Sequence, residues 1–353
     1  MRTARLMAAC AAGLALGLGA APLAGAQDAP APEAPALDAS APARLPAFPP
    51  VPPLEPPPQD FGTAEAHYLF LREAANGGVA HTIETVPQWT GLWTSGGNTM
   101  AGLFLEIPDD APAWRTTGLP IREGVLTPPY EAQFRARRAE MDEYGEQRYD
   151  RLTNCEYPGV PRWLWEPYVK EYVNLPHQSW MMNDMMNETR RIYIGAEHVN
   201  IEGGHSATGD SIGFWYGDTL VIWTKWVNPA DYVRGMPLTS NQFEMVERWR
   251  ERATDDGGRQ LVTQVTFYDP LALERPLSAV YTHNVSPQLQ EAGVRIRNWE
   301  CATSSNSYKD EDGNTQFYLP GDPEYKDPRA FTDFPELPGQ SLDPLFDPTA
   351  AAP

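Results

Sequence analysis

Ser211–Tyr216 reads SIGFWY, and after Gly217–Asp218 the chain continues as TLVIWTKW at Thr219–Trp226. Both runs are rich in β-branched and aromatic residues, and a two-residue Gly-Asp connection between such runs is typical of a β-hairpin. A second pair follows, in which Phe243–Arg252 meets Leu261–Tyr268 across an Asp/Gly-rich turn. Short turns between consecutive strands favour an antiparallel meander, and closure removes its exposed edges. The sequence therefore predicts a mainly β protein with a closed or nearly closed, lipocalin-like barrel.

Two helices are predicted ahead of this meander. Thr63–Ala75 has an apolar face and ends at a run of Asn and Gly, which is a helix stop signal. Thr127 can cap a second helix whose first turn holds Pro128 and Pro129, positions where proline is tolerated. We therefore expect one or two accessory N-terminal helices that lie across the sheet.

The chain begins with the pattern of a secretory leader. Arg2 and Arg5 precede an apolar run over 6–23, and a small-residue AGA motif ends at Ala26. This order of basic, apolar and small residues is typical of a signal peptide rather than of a transmembrane helix. We predict a signal peptide at 1–26 that is cleaved near its end, a periplasmic or secreted location, and no stable membrane insertion.

Composition divides the rest of the chain into three parts. Residues 27–60 are dominated by Pro and Ala and predict a disordered linker. Residues 61–325 have the size and apolar content of a single β-rich domain. Residues 326–353 return to a Pro/Asp-rich character and are predicted to form a tail.

The net charge restricts the choice of partner. The chain has 27 basic and 47 acidic residues, a formal net charge of −20. An acidic surface repels nucleic acid and anionic lipid. We therefore expect no nucleic-acid partner, while the oligomeric state is left open by the sequence.

Two cysteines, Cys155 and Cys301, follow the predicted leader. An even count in an oxidising compartment permits one disulfide that closes a long loop. The alternative, a nucleophilic cysteine, needs a neighbouring group that lowers the thiol pKa, and neither sequence context supplies one. A possible disulfide is thus the favoured interpretation.

Polar residues interrupt the apolar stripes of three predicted strands. Successive strand residues face opposite sides, so each strand can be divided into two stripes. The apolar stripe that contains Trp249 also contains Glu247, the next strand contributes Thr263, and the last contributes Tyr281 and His283. The alternation therefore predicts that a carboxylate, a hydroxyl, a phenol and an imidazole meet in one interior.

A buried carboxylate needs a partner, because isolated burial of its charge costs several kcal/mol. Arg190 and Arg191 precede an Ile-Tyr-Ile run, and alternation puts Arg191 on the same face as Tyr193. We predict that Glu247 meets Arg191. This contact would be either a structural ion pair that fixes strand register or a pocket group that orients a ligand or moves a proton.

Motifs of established chemistry are missing from the sequence. His198–Asp210 is the densest cluster of potential ligands, yet its spacing matches no zinc pattern. Asp310–Asn314 lacks the distal Glu of an EF-hand. Gly209–Gly213 does not read G-x-S-x-G and precedes a strand, which argues against a nucleophile elbow. No Gly-rich phosphate loop precedes a helix. We therefore expect no metal and no cofactor.

Several phrases resemble those of a family of predicted secreted bacterial β-rich proteins with no assigned activity. The phrases are Leu126–Pro128, Cys155 with Pro158–Arg162, Arg190–Tyr193, Gly209–Val221, Val246–Arg248 and Glu300–Cys301. Glu247, Arg191 and Asp210 match the family pattern. Glu244 stands where the family tends to carry His, and Trp223 where it tends to carry an acidic residue. The resemblance implies a β-rich fold compatible with a lipocalin-like barrel.

Three functions fit these observations. The first is a periplasmic or secreted barrel that binds a hydrophobic or aromatic small molecule. The second is a periplasmic hydrolase, isomerase or lyase in which Glu247 is the acid or base and His283 or Tyr281 its partner. The third is a structural module associated with the envelope. The candidate ligand-binding residues are Arg191, Tyr193, Thr263, Trp249 and Asp210.

Overall fold

Nine strands close into a barrel in the computed structural model, which describes residues 49–108, 118–144, 150–199, 204–299, 301, 307–311, 315–318, 323–324 and 337–339. The barrel strands are β1 Trp93–Asn98, β2 Lys170–Asn174, β3 Gln178–Asn183, β4 Thr189–Ile194, β5 Asp210–Tyr216, β6 Thr219–Lys225, β7 Glu244–Ala253, β8 Arg259–Tyr268 and β9 Leu277–Val285. A separate hairpin consists of β10 Ser307–Lys309 and β11 Thr315–Phe317. The prediction of a mainly β, closed barrel is confirmed.

One described helix precedes the first strand, and other helices and short 3₁₀ turns lie between strands. The α-helices are α1 Ala64–Ala74, α2 Ala101–Phe104, α3 Pro128–Tyr144 and α4 Pro287–Glu291. The 3₁₀ turns are Arg151–Asn154, Arg162–Leu164 and Met185–Asn187. Thr63 caps α1, and its hydroxyl accepts a hydrogen bond from the Ala66 N–H. Among the described residues, no helix is long and apolar enough to span a membrane.

Strand order follows the chain, but one neighbouring pair is parallel. β5 to β9 form the antiparallel meander that the sequence predicts. β4 and β5 run in the same direction, with Tyr193 opposite Ile212. The barrel closes where Trp93 of β1 lies opposite Val285 of β9. The end of β4 and the start of β5 therefore lie towards opposite ends of the barrel.

The first predicted hairpin forms with the expected two-residue connection. Tyr216 pairs with Thr219, and Gly217 adopts a φ of +58° between them. Left-handed backbone of this kind is accessible to glycine at little cost and matches the twist of the flanking strands. The turn therefore fixes the register of β5 against β6.

Aromatic side chains fill the barrel. Trp89, Trp93, Trp163, Trp215 and Trp249 are all at most 1% exposed and belong to one core cluster. Each large aromatic side chain buries on the order of 150–250 Å², so these rings dominate the apolar area removed from water. The interior is consequently a packed core along most of its length.

A second apolar cluster lies on the outside of the sheet under α1. Tyr68 of α1 packs on Phe214 and Trp223, with ring centroids 5.3 and 5.5 Å away. Tyr268 donates or accepts a hydrogen bond of 3.0 Å with the His67 ring. This cluster holds α1 against β5, β6 and β8.

The chain ends are only partly described. The predicted signal peptide at 1–26, residues 27–48 of the predicted linker and most of the predicted tail at 326–353 lie outside the described residues. Residues 49–58 of the linker are described, and their backbone is hydrogen-bonded to side chains of β7 and β8.

The predicted disulfide is present. Cys155 and Cys301 are bonded across a sequence separation of 146 residues, with Cα atoms 5.7 Å apart. This bond links the segment that follows α3 to the chain beyond β9, so it closes a loop that contains eight of the nine barrel strands.

Candidate functional site

A buried ion pair joins β4 to β7 inside the barrel. Arg190 Nη1 donates to Glu247 Oε1 at 3.1 Å, and Nη2 donates to Glu247 Oε2. Their side chains are 1% and 0% exposed. Arg190 also donates to Ser211 Oγ at 3.2 Å and to Thr224 Oγ1 at 2.5 Å. The guanidinium thereby donates hydrogen bonds to three other strands, β5, β6 and β7. A bidentate contact between a guanidinium and a carboxylate is among the stronger pairings in proteins.

The predicted partner of Glu247 was wrong. Arg191 points outward, where its guanidinium carbon lies 4.6 Å from the centroid of the Trp180 ring, and Tyr193 is 37% exposed on the same face. Residues of β4 alternate between the two faces as predicted, but Ile192 rather than Tyr193 faces the interior. The reason is that Arg190 finds a carboxylate and two hydroxyls inside, whereas Arg191 gains a cation–π contact outside.

Trp249 and His283 form a stacked pair beside this ion pair. Their ring centroids are 5.4 Å apart and their planes differ by 3°. Trp249 Nε1 donates to Glu247 Oε1 at 3.1 Å. His283 Nε2 lies 3.0 Å from the Leu164 carbonyl, which only accepts, so Nε2 carries the proton and donates. Burial, followed by the charge of Lys170, lowers the pKa of His283 well below its ordinary value.

Thr263 and Tyr281 complete the interior set predicted from the sequence. They lie opposite each other in the β8–β9 ladder and are 0% and 1% exposed. Burial, followed by the charge of Glu247, raises the pKa of Tyr281 well above its usual range. The structure therefore brings five predicted residues into one interior. They are Glu247, Trp249, Thr263, Tyr281 and His283.

This interior set is enclosed. Glu247 is paired, His283 is neutral near neutral pH, and the side chains of both are inaccessible to solvent. A paired carboxylate shielded from water exchanges protons with a substrate only after the barrel opens. Catalytic roles for Glu247, His283 and Tyr281 stay predictions, as does ligand binding by Arg191, Tyr193, Thr263, Trp249 and Asp210.

Asp210 lies apart from the interior set, at the start of β5. Its Oδ2 is 2.6 Å from Nδ1 of His198, whose ring stands edge-on to Trp223 with centroids 4.4 Å apart. Burial lowers the pKa of His198, and the Asp210 carboxylate acts in the opposite sense. These contacts therefore hold His198 against β5 and β6.

Lys170 is a buried lysine that was not predicted from the sequence. It is 0% exposed at the start of β2, and Nζ donates to Ser95 Oγ at 3.1 Å and to the Tyr168 carbonyl at 3.3 Å, as well as to the Glu166 carbonyl. Burial lowers its pKa to about 7. Alternation along β2 could have indicated it, because Lys170 shares the buried face of this strand with Tyr172 and Asn174.

A second group of buried charges surrounds Arg162. Arg162 Nη1 donates to Asp150 Oδ1 at 2.7 Å, and Nε donates to Glu166. Glu188 lies nearby, accepts a hydrogen bond of 3.1 Å from the Gly159 N–H, and is 3% exposed. Its second oxygen has no hydrogen-bond partner among the described atoms. Burial raises the pKa of Glu188 to about 8.

This pKa predicts a pH-dependent stability. Glu188 titrates near 4.5 when unfolded, so between that value and about 8 the folded protein keeps a proton that the unfolded chain has lost. The resulting stabilisation is complete below the unfolded pKa and is lost as the pH rises through the folded pKa. Glu188→Gln cannot ionise, and we expect its free energy of unfolding to increase relative to wild type from about pH 5 to about pH 8, as measured by urea titration.

Glu171→Gln, on the half-exposed face of β2, controls for the change in formal charge. A stability difference between Glu188→Gln and wild type that stayed constant over this pH range would mean that Glu188 is already ionised in the folded protein.

A cleft opens over the end of the barrel at which β9 begins. Its volume is about 730 Å³, within the range of small-molecule sites. It is lined by Gly102, Leu103, Glu106, Pro120, Ile121, Arg122, Glu123, Gly124, Val125, Arg135, Arg275 and Leu277. Four of these side chains are aliphatic, three are guanidinium groups, and two, Glu106 and Glu123, are carboxylates.

The arginines of the cleft differ in how they are held. Arg122 Nε donates to the carbonyls of Gly102 at 2.8 Å and Leu105 at 3.2 Å. Arg135 pairs with Glu131 at 2.9 Å and lies 3.5 Å from Glu123. Arg122 and Arg275 have no carboxylate within ion-pair distance in the part of the chain that the structure describes.

Sequence reasoning missed this cleft because its residues come from four separate segments. No local motif joins Arg122, Arg135 and Arg275, and only their common position over the barrel end brings them together. Among the described residues, no group of three or more His, Cys, Asp or Glu side chains is arranged to hold a metal ion. A scan against protein-family models finds no match to this chain, and a search of the curated proteins finds none.

Proposed function

We propose that this is a secreted or periplasmic β-barrel protein that binds a small apolar or aromatic molecule with an anionic group. The cleft over the barrel end carries the proposal, because it combines a volume of about 730 Å³ with four aliphatic side chains and three arginines. Apolar walls with a few oriented polar groups are the usual composition of a small-molecule site.

The aliphatic side chains of the cleft can contact the apolar part of a ligand. Leu103 and Ile121 are partly buried against the core cluster, and Leu277 is the buried first residue of β9. Removing a ligand's apolar surface from water contributes roughly 25 cal/mol per Å² before the costs of association. These side chains therefore supply the affinity that does not depend on charge.

The arginines of the cleft can bind an anionic group of the ligand. Arg275 is exposed and Arg122 is held by two backbone carbonyls, so neither charge is neutralised by a neighbouring carboxylate in the described structure. In a chain of net charge −20, two such guanidinium groups at one cleft favour a ligand carboxylate or sulfonate.

The barrel interior supports the proposal less well than the cleft. Five tryptophans fill it, and the Arg190–Glu247 pair is already satisfied by its neighbours. A ligand could enter only if these rings moved apart. We assign the interior a structural role and the cleft the binding role.

The proposed location follows from two features. The basic, apolar and small-residue order over 1–26 is that of an export signal. The Cys155–Cys301 bond persists in oxidising compartments and is rare in a reducing cytosol. Both features support export, and detection of the mature protein in periplasmic or culture fractions tests it.

Two fluorescent probes test the binding proposal. Anilinonaphthalene sulfonate is an aromatic anion, and phenylnaphthylamine is a neutral analogue of nearly the same shape. We expect the folded protein to bind both, and Arg275→Gln to weaken binding of the sulfonate about tenfold while the affinity for the neutral probe stays within about twofold, because one charge-assisted hydrogen bond is lost. Fluorescence titration measures both affinities.

Arg295→Gln is the matched control, since it removes one exposed positive charge outside the cleft. The proposal fails if Arg275→Gln and Arg295→Gln weaken sulfonate binding equally, or if the folded protein binds neither probe.

A further inference from the structure

The proline-rich segment at residues 49–58, here called the strap, lies on the outer surface of β7 and β8. Arg252 Nη2 donates to the Pro50 carbonyl at 2.9 Å, and Arg248 Nη2 donates to the Glu55 carbonyl at 2.8 Å. The first contact joins residues 202 positions apart in sequence and the second joins residues 193 apart. The strap is therefore held by the barrel and not by its own neighbours.

Gln264 of β8 forms a two-way contact with the strap. Its Nε2 donates to the Pro53 carbonyl at 3.3 Å, and its Oε1 accepts from the Glu55 N–H at 3.1 Å. One side-chain amide thus satisfies both a carbonyl and an N–H of the extended segment, as a neighbouring strand would. The contact therefore depends on the direction of the strap backbone and on the distance between the Pro53 carbonyl and the Glu55 N–H.

The strap also fits the surface sterically. A Cβ built on Gly97 of β1 would lie 2.3 Å from Val51 Cγ2, so a side chain at this position would force Val51 of the strap to shift. Between Leu54, Pro57 and the barrel a space of about 10 Å³ remains, roughly the size of one water molecule. The two surfaces are therefore closely complementary.

Proline-rich chains favour the polyproline II conformation, which has no internal hydrogen bonds and leaves its carbonyls free. A surface that recognises such a chain needs donors at carbonyl spacing. Arg248, Arg252 and Gln264 provide these donors. Arg252 is itself oriented by a hydrogen bond of 2.8 Å from its Nε to Gln260 Oε1.

We propose that this surface, formed by Gly97, Arg248, Arg252 and Gln264, is a binding site for extended proline-rich peptides, and that the strap occupies it in cis. The external partner is a proline-rich segment with an acidic residue where Glu55 stands, because Arg248 Nη1 lies 3.7 Å from Glu55 Oε2. Such a segment competes with the strap for the same donors.

Binding of a synthetic peptide tests this proposal in the full chain. The probe is a fluorescently labelled peptide of residues 48–58, titrated by anisotropy against wild type and against a full-length variant in which Pro50, Val51, Pro53 and Leu54 are replaced by Gly. We expect the variant to bind the peptide at least about tenfold more tightly than wild type, because its own strap no longer occupies the surface.

Variants in the same background identify the surface. Arg248→Gln should weaken peptide binding about tenfold through the loss of a charge-assisted hydrogen bond. Arg250→Gln is the matched control, since Arg250 is exposed on β7 and no hydrogen bond joins it to the strap in the described structure. A peptide of the same composition in scrambled order controls for nonspecific association.

Two results would overturn the proposal. One is no peptide binding by a glycine-substituted variant that unfolds in urea at the same concentration as wild type. The other is evidence that the peptide is attracted nonspecifically to β7. Equal binding of the native-order and scrambled peptides would show this, and so would equal loss of binding in Arg248→Gln and Arg250→Gln.

Discussion

Arg190→Met is expected to lower the free energy of unfolding by about 3–5 kcal/mol, because it leaves the Glu247 carboxylate buried without its counter-charge. Glu247 would keep only the hydrogen bond from Trp249 Nε1. Ser211 and Thr224 would still bond to each other, since their hydroxyls lie 2.9 Å apart. Urea unfolding followed by tryptophan fluorescence measures the loss.

Arg191→Met is the matched control for this substitution. Arg191 is the next residue of the same strand, carries the same charge and lies outside the barrel over Trp180. We expect it to cost no more than about 1 kcal/mol, the scale of an exposed cation–π contact. Similar losses in the two variants would contradict the assignment of the interior face of β4.

The double variant Arg190→Met/Glu247→Leu separates a need for charge from a need for filled space. Apolar replacements of similar volume often match or exceed the stability of a buried ion pair. We therefore expect it to regain most of the stability that Arg190→Met loses. If it were no more stable than Arg190→Met, the unpaired Glu247 carboxylate would not be the cause of the loss in Arg190→Met, because the two variants differ only in that carboxylate.

Loss of the Cys155–Cys301 bond is the second large effect. The bond closes a loop of 146 residues, and the chain-entropy model credits such a crosslink with about 5 kcal/mol through restriction of the unfolded chain. We expect Cys155→Ser/Cys301→Ser to unfold at a lower urea concentration than the oxidised wild type by a corresponding amount.

Reduction provides an independent control. The wild type with reductant should match the double serine variant, whereas reductant should leave that variant unchanged. A denatured mass that increases by two hydrogens on reduction establishes that the bond was present. Equal stability of oxidised and reduced wild type, with the bond shown by mass, would mean that the unfolded chain is compact enough to lose little entropy on crosslinking.

The features of this fold that can be predicted from the sequence are those set by residues close together in the chain. The β5–β6 hairpin follows from apolar runs on either side of Gly217–Asp218, and the inward position of Glu247 follows from its stripe of apolar neighbours. For β4 the two stripes hold one arginine each, so period alone could not choose between Arg190 and Arg191. The choice depended on what the other strands offered inside.

Other features depend on contacts between distant segments. The cleft unites Arg122, Arg135 and Arg275 through the geometry of the barrel end. The strap is rich in proline, a composition that predicts disorder, yet side chains of β7 and β8 bind its backbone. Neither arrangement has a signature in a single stretch of sequence.

The parallel β4–β5 pair resolves a problem of parity. Nine strands that alternated direction at every step would bring β1 and β9 together running the same way, because nine is odd. One pair without reversal restores the alternation, and β1 and β9 meet antiparallel. Followed by contact rather than by chain order, the barrel is an uninterrupted up-and-down circuit that starts at β5, passes through the β9–β1 contact and finishes at β4. The parallel contact that interrupts this circuit thus lies in the middle of the chain, between β4 and β5. The first and last strands, β1 and β9, meet in an ordinary antiparallel pair.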